Sequence, residues 1–105
     1  MPQLSILIQK SPLAGLQYHE GETVWSKLRE NDPLQLVREQ DNRFDGRTVA
    51  VYWQDYKLGY LPKNENTAVA QLLDRGETLD AHIVRLQESR NPWKRILLSV
   101  RLTNT

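Results

Sequence analysis

The sequence predicts a mostly β protein, with a barrel-like antiparallel sheet of about six strands and two short α-helices packed against it. Two observations lead to this fold class. Six short segments carry the apolar patterns typical of strands, and only two stretches have apolar residues at helical spacing. Helices do not alternate with strands, so a parallel βαβ arrangement is not expected. At 105 residues the chain is expected to form a single domain, residues 1–105.

Five of the strands and the first helix follow from simple patterns. Apolar side chains at every second position predict a half-buried first strand, whose buried side chains are expected to be Leu4, Ile6 and Ile8. Residues 22–28 have helical spacing, and that helix should end before Pro33. Further strands are expected at residues 34–38, 48–53, 57–61 and 80–86. The second of these four is almost continuously apolar, which is typical of a strand covered on both faces.

The second helix and the C-terminal strand complete the prediction. Asn64 or Asn66 is expected to cap a helix that continues to Asp74, and Gly76 is its expected left-handed stop. The last strand, residues 94–102, alternates apolar and other side chains. A loop with the sequence "ESRNPW" precedes it.

Composition narrows the class of protein. The absence of cysteine excludes disulfides and thiolate zinc sites, and no apolar run approaches the ~18 residues of a membrane span. We therefore expect a soluble, cytoplasmic protein that makes no membrane contact, and association with the nucleoid if it binds DNA. The net charge of +1 neither requires nor forbids nucleic acid. Residues 85–101 hold five basic side chains and one acidic one, so the last hairpin is the basic end.

The turn "EQDNRFDG" contains Phe44, the only phenylalanine of the chain. Its Asn and Asp residues are ordinary turn formers that can satisfy backbone N–H groups. An aromatic residue in such a turn either folds back into the core or stands out to stack on a ligand. The turn alone leaves both possibilities open.

Two stretches together carry a specific pattern. The longer, "LVREQDNRFDGRTVAVYWQDYKLGYLPKNENTAVAQLLDRG", joins an Asn-x-aromatic-Asp turn to a β-branched strand, a Leu-Gly-aromatic-Leu-Pro hairpin and an Ala/Leu-rich helix. The shorter, "LAGLQYHEGETV", lies upstream of it. From about residue 13 to residue 83 the chain resembles the HIRAN domain family. The resemblance implies a small OB-like β-barrel that binds single-stranded DNA with a free 3′-hydroxyl end.

The resemblance also implies roles for particular residues. Tyr18 and Phe44 fall on the two aromatics that sandwich the terminal base, and Asp45 falls on the carboxylate that meets the 3′-hydroxyl. Asn42 falls on an amide that holds the loop. Contacts on the phosphate side fall on His19, Tyr60 and Lys63. The implied function is non-catalytic and accessory to DNA repair or stalled-fork processing, with a helicase or ATPase supplied by another chain.

The chemistry of these residue types fits the implied role. Stacking on an aromatic ring tolerates any base and contributes about 1–3 kcal/mol per base. A carboxylate accepts a hydrogen bond from a free hydroxyl and repels a phosphate, so Asp45 could distinguish a DNA end from a continuing strand. Lys63 offers a positive charge to a phosphate, just ahead of the predicted helix.

The chain also departs from the family pattern. Gln17 replaces an arginine, Phe44 replaces a tyrosine and Tyr60 replaces a histidine. Residues 38–63 hold five basic and four acidic side chains, which is nearly neutral for a DNA-binding surface. The alternative is therefore a protein–protein interaction module that keeps the scaffold and has lost DNA binding.

Enzymatic and metal sites find no support in the sequence. The chain has two histidines, His19 and His82, without a metal-ligand spacing, and it lacks the common phosphate-loop and nucleophile motifs. We expect no catalytic residue, no metal and no cofactor. Trp93, among basic residues in a loop, either stacks on a base or partner or folds over its own hairpin. Trp25 and Trp53 are expected to lie in the core.

Overall fold

The fold consists of six antiparallel strands and two short helices, as the sequence predicts. The computed structural model describes residues 4–16 and 19–104. In chain order the elements are β1 (Leu4–Pro12), α1 (Gly21–Val24), β2 (Pro33–Glu39), β3 (Thr48–Trp53), β4 (Tyr56–Tyr60), α2 (Thr67–Asp74), β5 (Leu79–Leu86) and β6 (Ile96–Asn104). The strands pair in the order β1-β6-β5-β2-β3-β4, every pair antiparallel.

The sheet is not closed by strand pairing between its two edges, β1 and β4. A short bridge brings them together instead. The N–H of Ala14 donates to the carbonyl of Tyr60 at 2.8 Å, and the N–H of Tyr60 donates back at 2.9 Å. A Cβ atom at Gly59 would lie 2.2 Å from the carbonyl oxygen of Ala14, so only glycine allows this approach. Among the described residues the sheet is therefore open, and the predicted barrel stays a prediction with which this single bridge is compatible.

The core lies between the strands and the helices. β3 is buried along almost its whole length, because it is covered on both faces as its continuous apolar sequence predicts. α2 packs Val69 and Ala70 into the core and ends at Asp74. Gly76, two residues later, has a φ of +79°, which is the expected left-handed stop. Trp53 is buried, and its indole N–H donates to Asp32 at 3.0 Å. Trp25 is half-buried against the core rather than within it.

The first strand differs from its prediction. Ile6 was expected to point inward, but its side chain is 61% exposed. β1 is an edge strand, and a bulge between Leu7 and Gln9 shifts its register with β6. Leu7, which points to the opposite face of the strand, is also 43% exposed, so this end of β1 is covered on neither face and the alternation there does not mark a buried side.

Both helices also start or end differently from their predictions. The first is one turn of α-helix followed by a 3₁₀ turn at Trp25–Lys27, not one continuous helix. The second begins at Thr67, after a 3₁₀ turn at Lys63–Glu65. Asn66 occupies the N-cap position but its side chain makes no cap hydrogen bond, which corrects the expected capping role. Among the described residues no helix has the length and apolar character needed to cross a membrane.

Candidate functional site

A surface cavity of about 390 Å³ lies between three elements: the β2–β3 loop (residues 40–47), the end of β4 and the turn that precedes α2. It is called the groove below. Most of the residues that the sequence singled out line it. The lining residues are Ala14, Asn42, Phe44, Asp45, Thr48, Tyr60, Leu61, Lys63 and Asn66. The fold therefore gathers side chains that are up to 52 positions apart in the chain, Ala14 and Asn66.

Asn42 gives the β2–β3 loop its shape. Its side-chain oxygen accepts from the backbone N–H of Phe44 at 2.9 Å, and its Nδ2 donates to Glu39 at 3.3 Å. Its own backbone N–H donates to the carbonyl of Glu39 at 3.1 Å. Asparagine is suited to this position because its short amide can bond to backbone groups two residues away. The side chain lies where the loop-holding role would place it.

Phe44 stands at the mouth of the groove and is 86% exposed. Of the two possibilities for a turn aromatic, the ring has thus taken the solvent-facing one. An exposed phenyl ring contributes little to the core, since the area it removes from water on folding is small. The carbonyl of Phe44 accepts a long hydrogen bond, 3.5 Å, from the Lys63 ammonium, which brings a cation next to the backbone of this residue.

Asp45 is held from two directions. Its Oδ1 accepts from the backbone N–H of Arg47 at 3.0 Å, and its Oδ2 accepts from Nδ2 of Asn66 at 2.8 Å. The Arg47 N–H is the larger cause, and the Asn66 amide the next, of a carboxyl pKa below its ordinary value. The charges of Arg47 and Lys63 act in the same direction. Asp45 is therefore ionised at neutral pH and presents an acceptor to the groove.

A cluster of four side chains supports the groove beside β4. The His19 ring meets the Tyr60 ring edge-on, with centroids 5.1 Å apart, and the Lys57 ammonium lies 4.5 Å from the centre of the Tyr60 ring. Lys57 is itself paired with Glu39 at 2.7 Å. Burial first, and the charge of Lys57 second, lower the pKa of His19, so its ring is neutral at pH 7. Most of the positive charge of Lys57 is thus compensated locally.

Lys63 and Tyr60 line the groove, and the His19 ring contacts the Tyr60 ring; the expected contacts of these three residues with phosphates stay a prediction. Tyr18, the second aromatic of the expected sandwich, and Gln17 lie outside the described residues. Within residues 4–16 and 19–104, no group of three His, Cys, Asp or Glu side chains has the arrangement of a metal site.

Sequence reasoning missed two parts of the site. Asn66 was interpreted as a helix cap, but its side chain is the partner of Asp45, 21 residues away. The Glu39–Lys57 pair was not singled out at all. Both the Asn66–Asp45 and the Glu39–Lys57 contacts join segments distant in sequence. The Glu39–Lys57 pair forms because β2 pairs with β3 and β3 pairs with β4. One indication was available: Lys57 belongs to a predicted strand, and Glu39 directly follows another, residues 34–38.

The basic hairpin lies apart from the residues that line the groove. Trp93 is 50% exposed in a 3₁₀ turn, Pro92–Lys94, between β5 and β6. Arg95 is not free for a ligand, because its guanidinium lies 4.1 Å from the Trp25 ring and forms an ion pair with Glu22. The exposed cations of this hairpin loop are Arg90 and Lys94.

Comparison with known proteins identifies relatives of this architecture. The sequence pattern of the HIRAN domain matches residues 7–104. The crystal structure of a protein from Lactobacillus plantarum has a TM-score of 0.84 at 22% identity, covering 99% of this chain and all of that one. The crystal structure of the HIRAN domain of human HLTF has a TM-score of 0.74 at 19% identity, covering 96% of this chain and 80% of that one. No curated protein matches the sequence. At these identities the two structures share the fold.

Proposed function

The chain belongs to the HIRAN domain family, a family of DNA-binding domains, and we propose that it is a non-catalytic module for single-stranded DNA with a free 3′-hydroxyl end. One observation carries the proposal. An aromatic ring with no structural use, Phe44, lies next to an ionised carboxylate, Asp45, and both line one groove. A stacking surface beside a hydroxyl acceptor is the minimum needed to bind the last nucleotide of a strand.

In the proposed complex the terminal base stacks on Phe44, with Tyr18 as the second ring. The 3′-hydroxyl donates a hydrogen bond to Asp45. A phosphate at the same position would be repelled by the carboxylate, so a strand that continues or ends in a 3′-phosphate binds less well. Lys63, whose ammonium contacts the carbonyl of Phe44, supplies the positive charge for a preceding phosphate, and Tyr60 and the neutral His19 are the other contacts on the phosphate side.

The electrostatics of the site predict modest affinity. Lys57 is paired with Glu39, and Arg38 is paired with Asp74 at 2.9 Å, so neither cation is free to attract DNA. Lys63 is the exposed cation that lines the groove. For a site that neutralises one or two phosphates of a single strand, the logarithm of the binding constant falls with the logarithm of the salt concentration with a slope of only about −0.7 per phosphate. Binding should therefore depend more on stacking and end chemistry than on salt.

The proposed biological role is accessory. A module that holds 3′ ends and has no chemistry of its own would direct a helicase or ATPase on another chain to damaged or stalled DNA. The alternative is a protein-interaction module that has lost DNA binding. The half-exposed Trp93 and the exposed Ile6 favour this alternative, since exposed apolar side chains serve partner contacts. Substitutions in the groove should impair the first function, whereas substitutions at exposed apolar residues such as Trp93 and Ile6 should impair the second.

The test is a comparison of two single-stranded probes of the same sequence, one with a 3′-hydroxyl and one with a 3′-phosphate, by fluorescence anisotropy at low salt. We expect the hydroxyl probe to bind more tightly, and Asp45→Ala to abolish the difference. Asp55→Ala is the matched control, because Asp55 is an exposed aspartate in the β3–β4 turn and makes no described hydrogen bond through its side chain. Binding of neither probe would reject the proposal and favour the protein-interaction module.

A further inference from the structure

Asn66 links the two halves of the groove. Its side chain is 1% exposed, and its Nδ2 donates to Oδ2 of Asp45 at 2.8 Å. Asp45 belongs to the β2–β3 loop, whereas Asn66 lies at the start of α2, directly after the turn that carries Lys63. Through this hydrogen bond the start of α2, on one side of the groove, contacts the Asp45 carboxylate on the other side.

This contact replaces two favourable local arrangements. Asparagine is among the best N-cap residues, yet the side chain of Asn66 makes no bond to the first N–H groups of α2. Its Oδ1 is buried and has no hydrogen-bond partner among the described residues. Turning the amide over would not help, because Oδ1 would then face an ionised carboxylate oxygen at 2.8 Å. The orientation of the amide is therefore explained neither by a cap of α2 nor by a partner for Oδ1. It is explained by the hydrogen bond from Nδ2 to Asp45.

We propose that Asn66 is the positioning residue for end recognition: it fixes the Asp45 carboxylate so that its remaining acceptor sites face a terminal 3′-hydroxyl. The inference rests on the proposed function and adds the residue that determines its specificity. The Arg47 N–H holds Oδ1 from within the loop, and Asn66 holds Oδ2 from the helix. Two donors on separate elements prevent rotation of the carboxylate, which one donor alone would allow. Each oxygen still has a lone pair for the ligand.

The role separates specificity from affinity. Phe44 stacks on the base in the same way whether the strand ends in a hydroxyl or a phosphate. Loss of the Asn66 amide should therefore weaken only the hydroxyl contact. A purely structural role would instead weaken the binding of both ends by the same factor, through general loosening of the groove.

The experiment compares Asn66→Leu, which keeps the branched shape of the side chain and has no donor, with Asn64→Leu, which replaces an exposed amide in the turn before α2. The ratio of the two Kd values, 3′-phosphate probe over 3′-hydroxyl probe, is measured for each by anisotropy. We expect Asn66→Leu to lower the ratio about tenfold toward one, the effect of losing one hydrogen bond to a charged group. Asn64→Leu should leave the ratio unchanged. Asn66→Ser, which can cap the helix but cannot reach Asp45, gives the same comparison if the leucine variant does not fold.

A second readout needs no DNA. In the free protein, carbon-13 NMR follows the Asp45 carboxyl group over the pH range where the protein stays folded. Asn66→Leu should raise the Asp45 pKa toward the ordinary aspartate value of 3.8. An unchanged Asp45 pKa would overturn the positioning role whatever the DNA result.

The two readouts separate the two claims. If the wild type prefers the 3′-hydroxyl and Asn66→Leu keeps the same ratio, the inference is wrong and the proposed function stands. Equal weakening of both probes also overturns it. If the wild type shows no end preference, the proposed function fails, and the specificity role of Asn66 fails with it. Even then, a raised Asp45 pKa in the variant would show that the amide holds the carboxylate.

Discussion

Replacing Phe44 with alanine removes a side chain that the fold hardly uses. The ring is 86% exposed, so its loss opens no cavity in the core. The two hydrogen bonds of Phe44, from its N–H to Asn42 and from Lys63 to its carbonyl, are backbone contacts that alanine keeps. We therefore expect the free energy of unfolding to change by at most about 0.5 kcal/mol, the usual range for exposed positions.

The same substitution should weaken DNA binding strongly. The loss of one base–ring stack, about 1–3 kcal/mol, corresponds to a Kd raised by about 5- to 150-fold. Fluorescence anisotropy with the 3′-hydroxyl probe measures the Kd, and thermal unfolding of the same samples measures stability. Phe44→Trp is the control, because it keeps a stacking surface and should bind within about threefold of the wild type.

Two results would refute this reasoning. An unchanged Kd in Phe44→Ala would show that the exposed ring does not stack on DNA. A Tm lowered by many degrees would show that the ring stabilises the fold, so that any loss of binding could follow from a distorted loop. The expected pattern, lost binding with unchanged Tm, is specific to a ring that faces a ligand.

Three further predictions concern closure, charge and pH. Gly59→Ala should lower the free energy of unfolding by about 1–3 kcal/mol in thermal unfolding, because the new Cβ would lie 2.2 Å from the Ala14 carbonyl oxygen. Gly46→Ala, which has open space around it, should have little effect. Equal Tm values for the two variants would argue against the bridge. Lys63→Gln should reduce the salt slope of DNA binding by about 0.7, and an unchanged slope would exclude a phosphate contact. Burial and the charge of Lys57 lower the folded-state pKa of His19 below its ordinary value of 6.5. The contribution of His19 to stability is therefore complete above pH 6.5, and it decreases as the pH falls through the lower folded-state pKa. Unfolding at pH 7.5 and 5.5 should therefore show a smaller pH effect in His19→Gln than in the wild type, and an equal effect would contradict this assignment.

Most of the fold could be predicted because its signals are local. β3 was placed at its observed bounds, since a continuous β-branched and apolar run bounded by turn residues has few other interpretations. Gly76 was placed for a similar reason, as glycine readily adopts the positive φ that ends a helix. The inward direction of Ile6 was wrong, because the start of β1, an edge strand, is covered on neither face, and alternation in the sequence does not show which strand lies at an edge.

The site was predictable only in part. The family pattern brought Phe44, Asp45, Tyr60 and Lys63 to attention, and the structure places all four in one groove. Their roles toward DNA remain predictions. The role of Asn66 could not be predicted, since a local preference for helix capping competes with a hydrogen bond 21 residues away, and only the folded chain shows which of them is formed.

The most direct test of the central claim is to observe where DNA contacts the protein. Backbone amide resonances would be followed by nitrogen-15 NMR while an oligonucleotide with a 3′-hydroxyl is added. We predict that the largest shifts fall in residues 42–48 and 60–66, with smaller ones when the oligonucleotide ends in a 3′-phosphate. Shifts centred on the loop of the basic hairpin, residues 87–95, or no shifts at all, would contradict the account.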